Sequence, residues 1–296
     1  MTTYINAIIV GVAIGSIYGL IGLGYTVGFN ATRVVNFAHG DLVMVGVLLS
    51  YWLLTSWRWP QLAVLPVVVV AVTALALVEE RIIIRPFVGK GADSSLLGWV
   101  VSTLGFGLMV ETVATKIWGN RPPRSVPSFV SSGTLRMGGV LLRWQLLVPI
   151  GVLIVATLAL QLFYRRSTIG WRMRASADDP VLGSLRTIES ARIGRTAFML
   201  SGALAGVTGF AVGPIVFADP DLGLKYGLVA FVALAMGGFG SIPGALLGAV
   251  GLGIAQQLIF IHLSGQFEDV ATLVVLSIVL LIRPSGLLSQ SRSRSV

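Results

Sequence analysis

The stretch Tyr4–Phe29, YINAIIVGVAIGSIYGLIGLGYTVGF, holds no charged side chain. It is longer than the roughly 17 to 25 residues that a membrane-crossing helix needs. Gly11, Gly15 and Gly19 stand four apart within it. That spacing lines one helix face with small residues and lets a second backbone approach closely, the usual way helices pack in lipid. Comparable apolar runs recur near Phe37–Ser56, Gln61–Val78, Ser94–Thr115, Gln145–Tyr164, Thr196–Phe217, Tyr226–Gly238, Gly244–His262 and Val270–Ile282. At about 1.5 Å of rise per residue, Tyr226–Gly238 is short for a crossing, so it is either re-entrant or extends back through Gly223. Asn30–Gly40 is polar enough to form a broken entry to the second run. The expected fold is an all-α polytopic integral membrane protein with eight or nine transmembrane or re-entrant helices.

Composition agrees. Of 296 residues, 55% are hydrophobic and 11% charged, and the mean hydropathy is +0.89. A soluble domain carries roughly a quarter charged residues, so this chain lacks the polar surface to cover a globule. One transmembrane domain is expected over residues 1–288, followed by a disordered basic Ser/Arg tail over 289–296. Met1–Asn6 has no basic segment and the first apolar run is too long for a signal peptide, so the N-terminus is expected to be retained. Cysteine is absent, which excludes disulfides and thiol chemistry. The net charge of +9 suits loops that face anionic lipid and partners. It does not suggest nucleic acid, because the basic residues divide between two sides of a membrane.

Glycines also stand four apart at Gly202 and Gly206, at Gly209 and Gly213, and at Gly240, Gly244 and Gly248, each set expected on one helix face. The Gly-rich texture shared by the first run and Thr196–Phe217 is consistent with an internal duplication.

Lysine and arginine in the loops set the orientation. Alternation groups Arg33, Arg81, Arg85, Lys90, the Arg165–Arg195 loop and the C-terminal arginines on one side, which holds most of the 21 basic residues and is therefore taken as cytoplasmic. The C-terminus then lies inside. The loop Lys116–Trp144 is basic and must face outward, as long loops can regardless of charge. Trp118 and Trp144 at its ends are expected to be interfacial anchors.

The loop over about 165–195 is the main polar interruption, with Arg165, Arg166, Arg172, Arg174, Arg186, Arg192 and Arg195. Asp178 and Asp179 before Pro180 read as the start of a helix, with an acidic cap and proline at the first helical position. Val181, Leu182, Leu185 and Ile188 then form one apolar face, with Gly183 between them. Two readings fit this spacing equally: a helix resting on lipid headgroups, or a coupling helix seated in a cytoplasmic motor.

Elsewhere, Asn36-Phe37-Ala38-His39-Gly40-Asp41 puts polar groups at the mouth of an apolar run. Such groups are costly unless they face water or the protein interior. Asn36, His39 and Asp41 therefore either line a path or gate, or cap a helix start and reach the interface. His39 has no second histidine at metal-binding spacing, so no metal site is expected. Glu111 is an intramembrane carboxylate near the outer end of its run, suited to a functional or a solvated structural role. Glu79, Glu80, Arg81 and Arg85 read as an interfacial charge group ending a helix, and Glu268 and Asp269 as an outer helix start. The run Gly237-Gly238-Phe239-Gly240-Ser241-Ile242-Pro243-Gly244 can break a helix and expose backbone groups, so Gly237, Gly238, Gly240 and Gly244 either belong to a translocation path or gate as a hinge, or form a plain tight turn.

Phosphate-loop, serine-hydrolase and zinc-protease motifs are absent. The chain has no ATP site and little to serve an enzyme.

Asn36–Asp41, Glu80-Arg81 with Arg85-Pro86, Gly237–Ala245 and Arg283-Pro284-x-Gly286-Leu287 stand in the order and spacing of one family. From about Gly11 to Leu288 the chain resembles the membrane permease subunits of bacterial branched-chain amino-acid ABC transporters, specifically the shorter of the two permeases. The resemblance implies an inner-membrane subunit that moves branched-chain amino acids by alternating access. Expected partners are a second permease in a heterodimer, two cytoplasmic ATPases that bind ATP and magnesium, a periplasmic or lipid-anchored solute-binding protein, and membrane lipid. No cofactor is expected on this chain. The loop Gly170–Ile188 would be the ATPase-docking loop, and this favours the coupling-helix reading. Where such loops carry glycine shortly before isoleucine, this chain has Arg186-Thr187-Ile188, with Gly183 displaced upstream. Similar permeases carry urea, short amides and other small solutes, which is the alternative cargo. A stand-alone secondary transporter is a more distant alternative, because no acid or base sits near mid-membrane.

Overall fold

The computed structural model describes residues 2–32, 35–85, 96–119, 121–130, 133–137, 140–178, 190–262, 268–282 and 286. The uninterrupted apolar run at the N-terminus forms α1, Thr2–Thr32. It is followed by α2 (His39–Tyr51), which continues as a π-helical turn over Trp52–Ser56. Next come α3 (Gln61–Glu79) with a π-helical turn over Glu80–Ile84, and α4 (Leu96–Trp118). After a long loop come α5 (Trp144–Arg166), α6 (Thr168–Asp178) and α7 (Ser190–Val216). The chain then forms α8 (Leu222–Gly237), α9 (Ile242–His262) and α10 (Glu268–Ile282).

This is the all-α polytopic fold expected. Among the described residues, six helices are long and apolar enough to cross a membrane: α1, α3 with its π-helical turn, and most or all of α4, α5, α7 and α9. α8 is shorter, and it starts at Leu222, so the short seventh run does extend back through Gly223. Val70, Val101 and Val155 on α3, α4 and α5 point outward, an apolar exterior that hydrocarbon can solvate.

Glycine decides which helices meet. The seam between α1 and α9 is the most extensive in the bundle. A Cβ added to Gly15 would lie 2.7 Å from the Ala249 carbonyl oxygen and the Val250 Cα. Likewise, a Cβ on Gly206 would lie 2.7 Å from the Val69 Cα of α3, and one on Gly209 2.8 Å from the Gly46 Cα of α2. Backbones this close leave no room for a side chain, so each site requires glycine.

The spacing argument fails at Gly240. Gly244 and Gly248 do face α8, but Gly240 lies in the turn before α9 with φ +84°, so it cannot share their helix face.

Other expectations are corrected. Trp118 is fully buried: its indole donates to the Arg121 carbonyl at 3.0 Å, and its ring packs edge-on to Tyr51 at 5.1 Å. It is a core residue and not an interfacial anchor. Phe129 stacks on Phe210 at 5.4 Å, and Arg124 and Ala218 exchange backbone hydrogen bonds of 3.1 and 2.7 Å. The loop between α4 and α5 therefore folds back onto the bundle. It also carries an unforeseen antiparallel hairpin, Thr134–Met137 with Val140–Arg143. Asp178 is the last residue of α6, and the helix start expected after it lies outside the described residues. Asp179, Pro180, Val181, Leu182, Gly183, Leu185 and Ile188 lie outside the described residues, as does the 289–296 tail.

Candidate functional site: a helix start inside the bundle

α2 begins deep in the protein. His39 packs on Gly24, eight residues before α1 ends, which is roughly 12 Å in from that end of the helix. The chain therefore leaves α1 at Thr32, turns back into the bundle and starts a new helix there. Asn36, Ala38, His39, Gly40 and Asp41 are all buried. The positive end of the α2 dipole therefore lies inside the protein, and the His39 N–H is held by the Asn36 carbonyl at 3.2 Å. Asn36 supplies part of the cap, since its Oδ1 accepts the Ala38 N–H at 3.0 Å.

Five helices surround this start. Tyr25 of α1 donates its hydroxyl to the Gly227 carbonyl of α8 at 3.2 Å, and its ring lies 5.2 Å from that of His39. Ser201 of α7 bridges α1 and α2: its Oγ donates to the Gly24 carbonyl at 3.1 Å and sits 3.1 Å from His39 Nδ1. One hydroxyl has one proton, so toward His39 it must accept. That places the imidazole proton on Nδ1 and leaves Nε2, buried and without a hydrogen-bond partner, against Gly24. Replacing Ser201 with alanine orphans this N–H and is expected to cost about 1–3 kcal/mol. Thermal stability of the detergent-solubilised protein measures it; an unchanged melting temperature would contradict the bridge.

Asp41 is held between glycines. Its carboxylate packs against Gly107 of α4 on one side and Gly223 of α8 on the other, and its Oδ1 has no hydrogen-bond partner. Glu79, expected at the interface, is fully buried at the end of α3, facing Asn36 without a well-formed hydrogen bond. Glu80 is also buried, within electrostatic range of Arg195, Arg85 and Arg81.

The glycine run sits apart from this cluster. Gly237 ends α8, roughly 15 Å along that helix from Gly227. Gly238 and Gly240 have φ +101° and +84°, Ser241 Oγ accepts the Gly244 N–H at 3.1 Å, and Gly237 and Gly244 interlock backbone to backbone. Asn30 of α1 donates to the Gly240 carbonyl at 3.2 Å. Among the sequence candidates, then, Asn36, His39 and Asp41 lie buried together at the start of α2 but face different helices, whereas Gly237, Gly238, Gly240 and Gly244 form a tight turn near the end of α1. Sequence reasoning missed Tyr25, Ser201, Gly24, Gly107 and Gly223, whose role depends on partners distant in the chain.

Residues 7–283 match the family described as branched-chain amino acid transport system / permease component. The chain belongs to this family. The permease is 31% identical over 301 residues to the high-affinity branched-chain amino acid transport system permease protein LivH of Escherichia coli (strain K12), covering 97% of this chain and 96% of the relative. It is 29% identical over 306 residues to the corresponding permease protein BraD of Pseudomonas aeruginosa, covering 99% and 98%. Among solved structures, PsaBC from Streptococcus pneumoniae in complex with Fab aligns over 96% of the permease and 93% of that chain, at 13% identity and a TM-score of 0.49. The permease is thus a multi-pass membrane component of a transport system, and the interior start of α2 is its principal polar site.

Proposed function

We propose that this permease translocates branched-chain amino acids across the bacterial inner membrane as one subunit of an ATP-driven importer. The observation that carries the reading is the end-to-end match to LivH, 97% of one chain against 96% of the other. Its partners are a second permease, two ATPases that bind ATP and magnesium and perform hydrolysis, and a solute-binding protein. The chain itself binds no cofactor.

The end of the bundle that brings Thr32 and Glu80 beside Gly194 faces the cytoplasm. Arg81, Arg85, Arg165 and Arg166 flank it, as the inside excess of basic residues requires. The same side holds the C-terminus and the segment Val181–Ile188, which docks on an ATPase. Closure of the ATPases moves that segment and rocks the helices around the α2 start, with Asn36, His39 and Asp41 along the path and the Gly237–Gly244 turn as a pivot.

Co-purification from native membranes with a tag on the C-terminal tail tests the assembly. Two ATPases and a second permease are expected in the mass spectrum, and deletion of Val181–Ile188 should release the ATPases. A chain that purifies alone contradicts the proposal.

A further inference from the structure

Glu111 stands on the wall of a cavity of about 560 Å³ between α4, α8 and α10. That volume falls within the range of roughly 300–1,000 Å³ usual for small-molecule sites. Asp221 and Lys225 line the same cavity, one helical turn apart at the start of α8, where the Asp221 carbonyl accepts the Lys225 N–H at 3.4 Å. Leu224 and Leu228, along the same stretch of α8, and Leu273 of α10 complete an apolar wall.

Glu111 and Asp221, both negative, lie within electrostatic range of each other. Lys225 sits in the same cavity, yet among the described residues it is joined to neither acid by an ion pair. Two carboxylates and an ammonium thus line one partly apolar space. A ligand that brings its own cation and anion would satisfy both signs, with hydrocarbon left over for the leucines. Gly223, next to Leu224 in the chain, packs on the Asp41 carboxylate at the start of α2.

We propose that this cavity is a zwitterion site for an α-amino acid with an apolar side chain. Glu111 and Asp221 receive the ammonium, Lys225 the carboxylate, and Leu224, Leu228 and Leu273 the side chain. The inference rests on the reading of the chain as an amino-acid permease and names where in it the solute first engages the membrane subunit.

The test titrates the importer, purified with its accompanying subunits and free of binding protein, in nanodiscs by ligand-observed NMR. Leucine is compared with leucinamide, which lacks the carboxylate, and with 4-methylpentanoate, which lacks the ammonium. Leucine should bind about tenfold or more tightly than either, the worth of one charge-assisted contact. Lys225→Met should abolish the preference over leucinamide alone, Lys225→Arg should retain it, and Glu111→Gln should shrink the preference over 4-methylpentanoate. The arginine variant separates loss of charge from loss of fold. If Lys225→Met keeps the full preference while cells carrying the importer still take up leucine, the site is wrong and the transport reading stands. If wild-type cells take up no branched-chain amino acid, the transport reading and the site both fall.

Discussion

Gly253→Leu is expected to leave no folded protein in the membrane, and Gly253→Ala to destabilise it by about 3 kcal/mol, the upper end of overpacking. Gly253 lies on α9 where it crosses α1. A Cβ there would stand 2.5 Å from the Gly15 nitrogen and 2.6 Å from its Cα, and would also strike the Gly11 carbonyl oxygen. All three are backbone atoms that cannot rotate away, so the two helices must separate by roughly an ångström along the longest seam of the bundle. Gly251, two residues earlier, has nothing within 4 Å of the same added atom. Gly251→Ala should therefore be neutral or slightly stabilising, because alanine is the better helix former by about 1 kcal/mol. Membrane-inserted yield and melting temperature of the pair measure the contrast. Equal losses at both positions would contradict the close α1–α9 crossing.

Asp41→Asn is expected to separate stability from transport. The carboxylate is 5% exposed, wedged between Gly107 and Gly223, with Oδ1 unpaired. A buried carboxylate with one oxygen unpaired lowers stability, so one that contributed only to the fold would be a poor choice. Asparagine keeps the shape and removes the charge. Melting temperature should hold or rise, while solute uptake falls at least about tenfold, the pattern of a residue retained for activity at the expense of stability. A fall in stability with uptake intact would assign Asp41 to packing alone.

The apolar helical character was legible because a bilayer imposes a length and an apolar composition on each crossing, and Tyr4–Phe29 satisfies both without reference to the rest of the chain; of the eight or nine crossings expected, six described helices have the length and composition. Helix pairing was only half legible. The spacing of Gly11 and Gly15 identified a close-packing face, but nothing local in the sequence says that the opposing face carries Gly253. Gly240 shows the limit of spacing: a glycine four residues before Gly244 can belong to a turn as easily as to a helix. The site was read in part. Asn36, His39 and Asp41 stood out as polar residues at an apolar edge, and all three are buried at the start of α2. Glu79 was misplaced because a carboxylate beside Glu80 and Arg81 ordinarily seeks water, whereas the helix geometry turns it inward toward Asn36. Tyr25 and Ser201 gave no signal, since a tyrosine or serine in a transmembrane run is common and only the fold brings them to His39.

The most direct test of the transport reading is uptake of radiolabelled leucine in cells stripped of their own branched-chain amino-acid systems and supplied with this chain and its partner subunits. The account predicts saturable accumulation that needs an intact nucleotide site in the partner ATPases and is competed by isoleucine and valine. Uptake of urea or a short amide in place of leucine, or leucine flux that persists when the ATPases are inactivated, would contradict it.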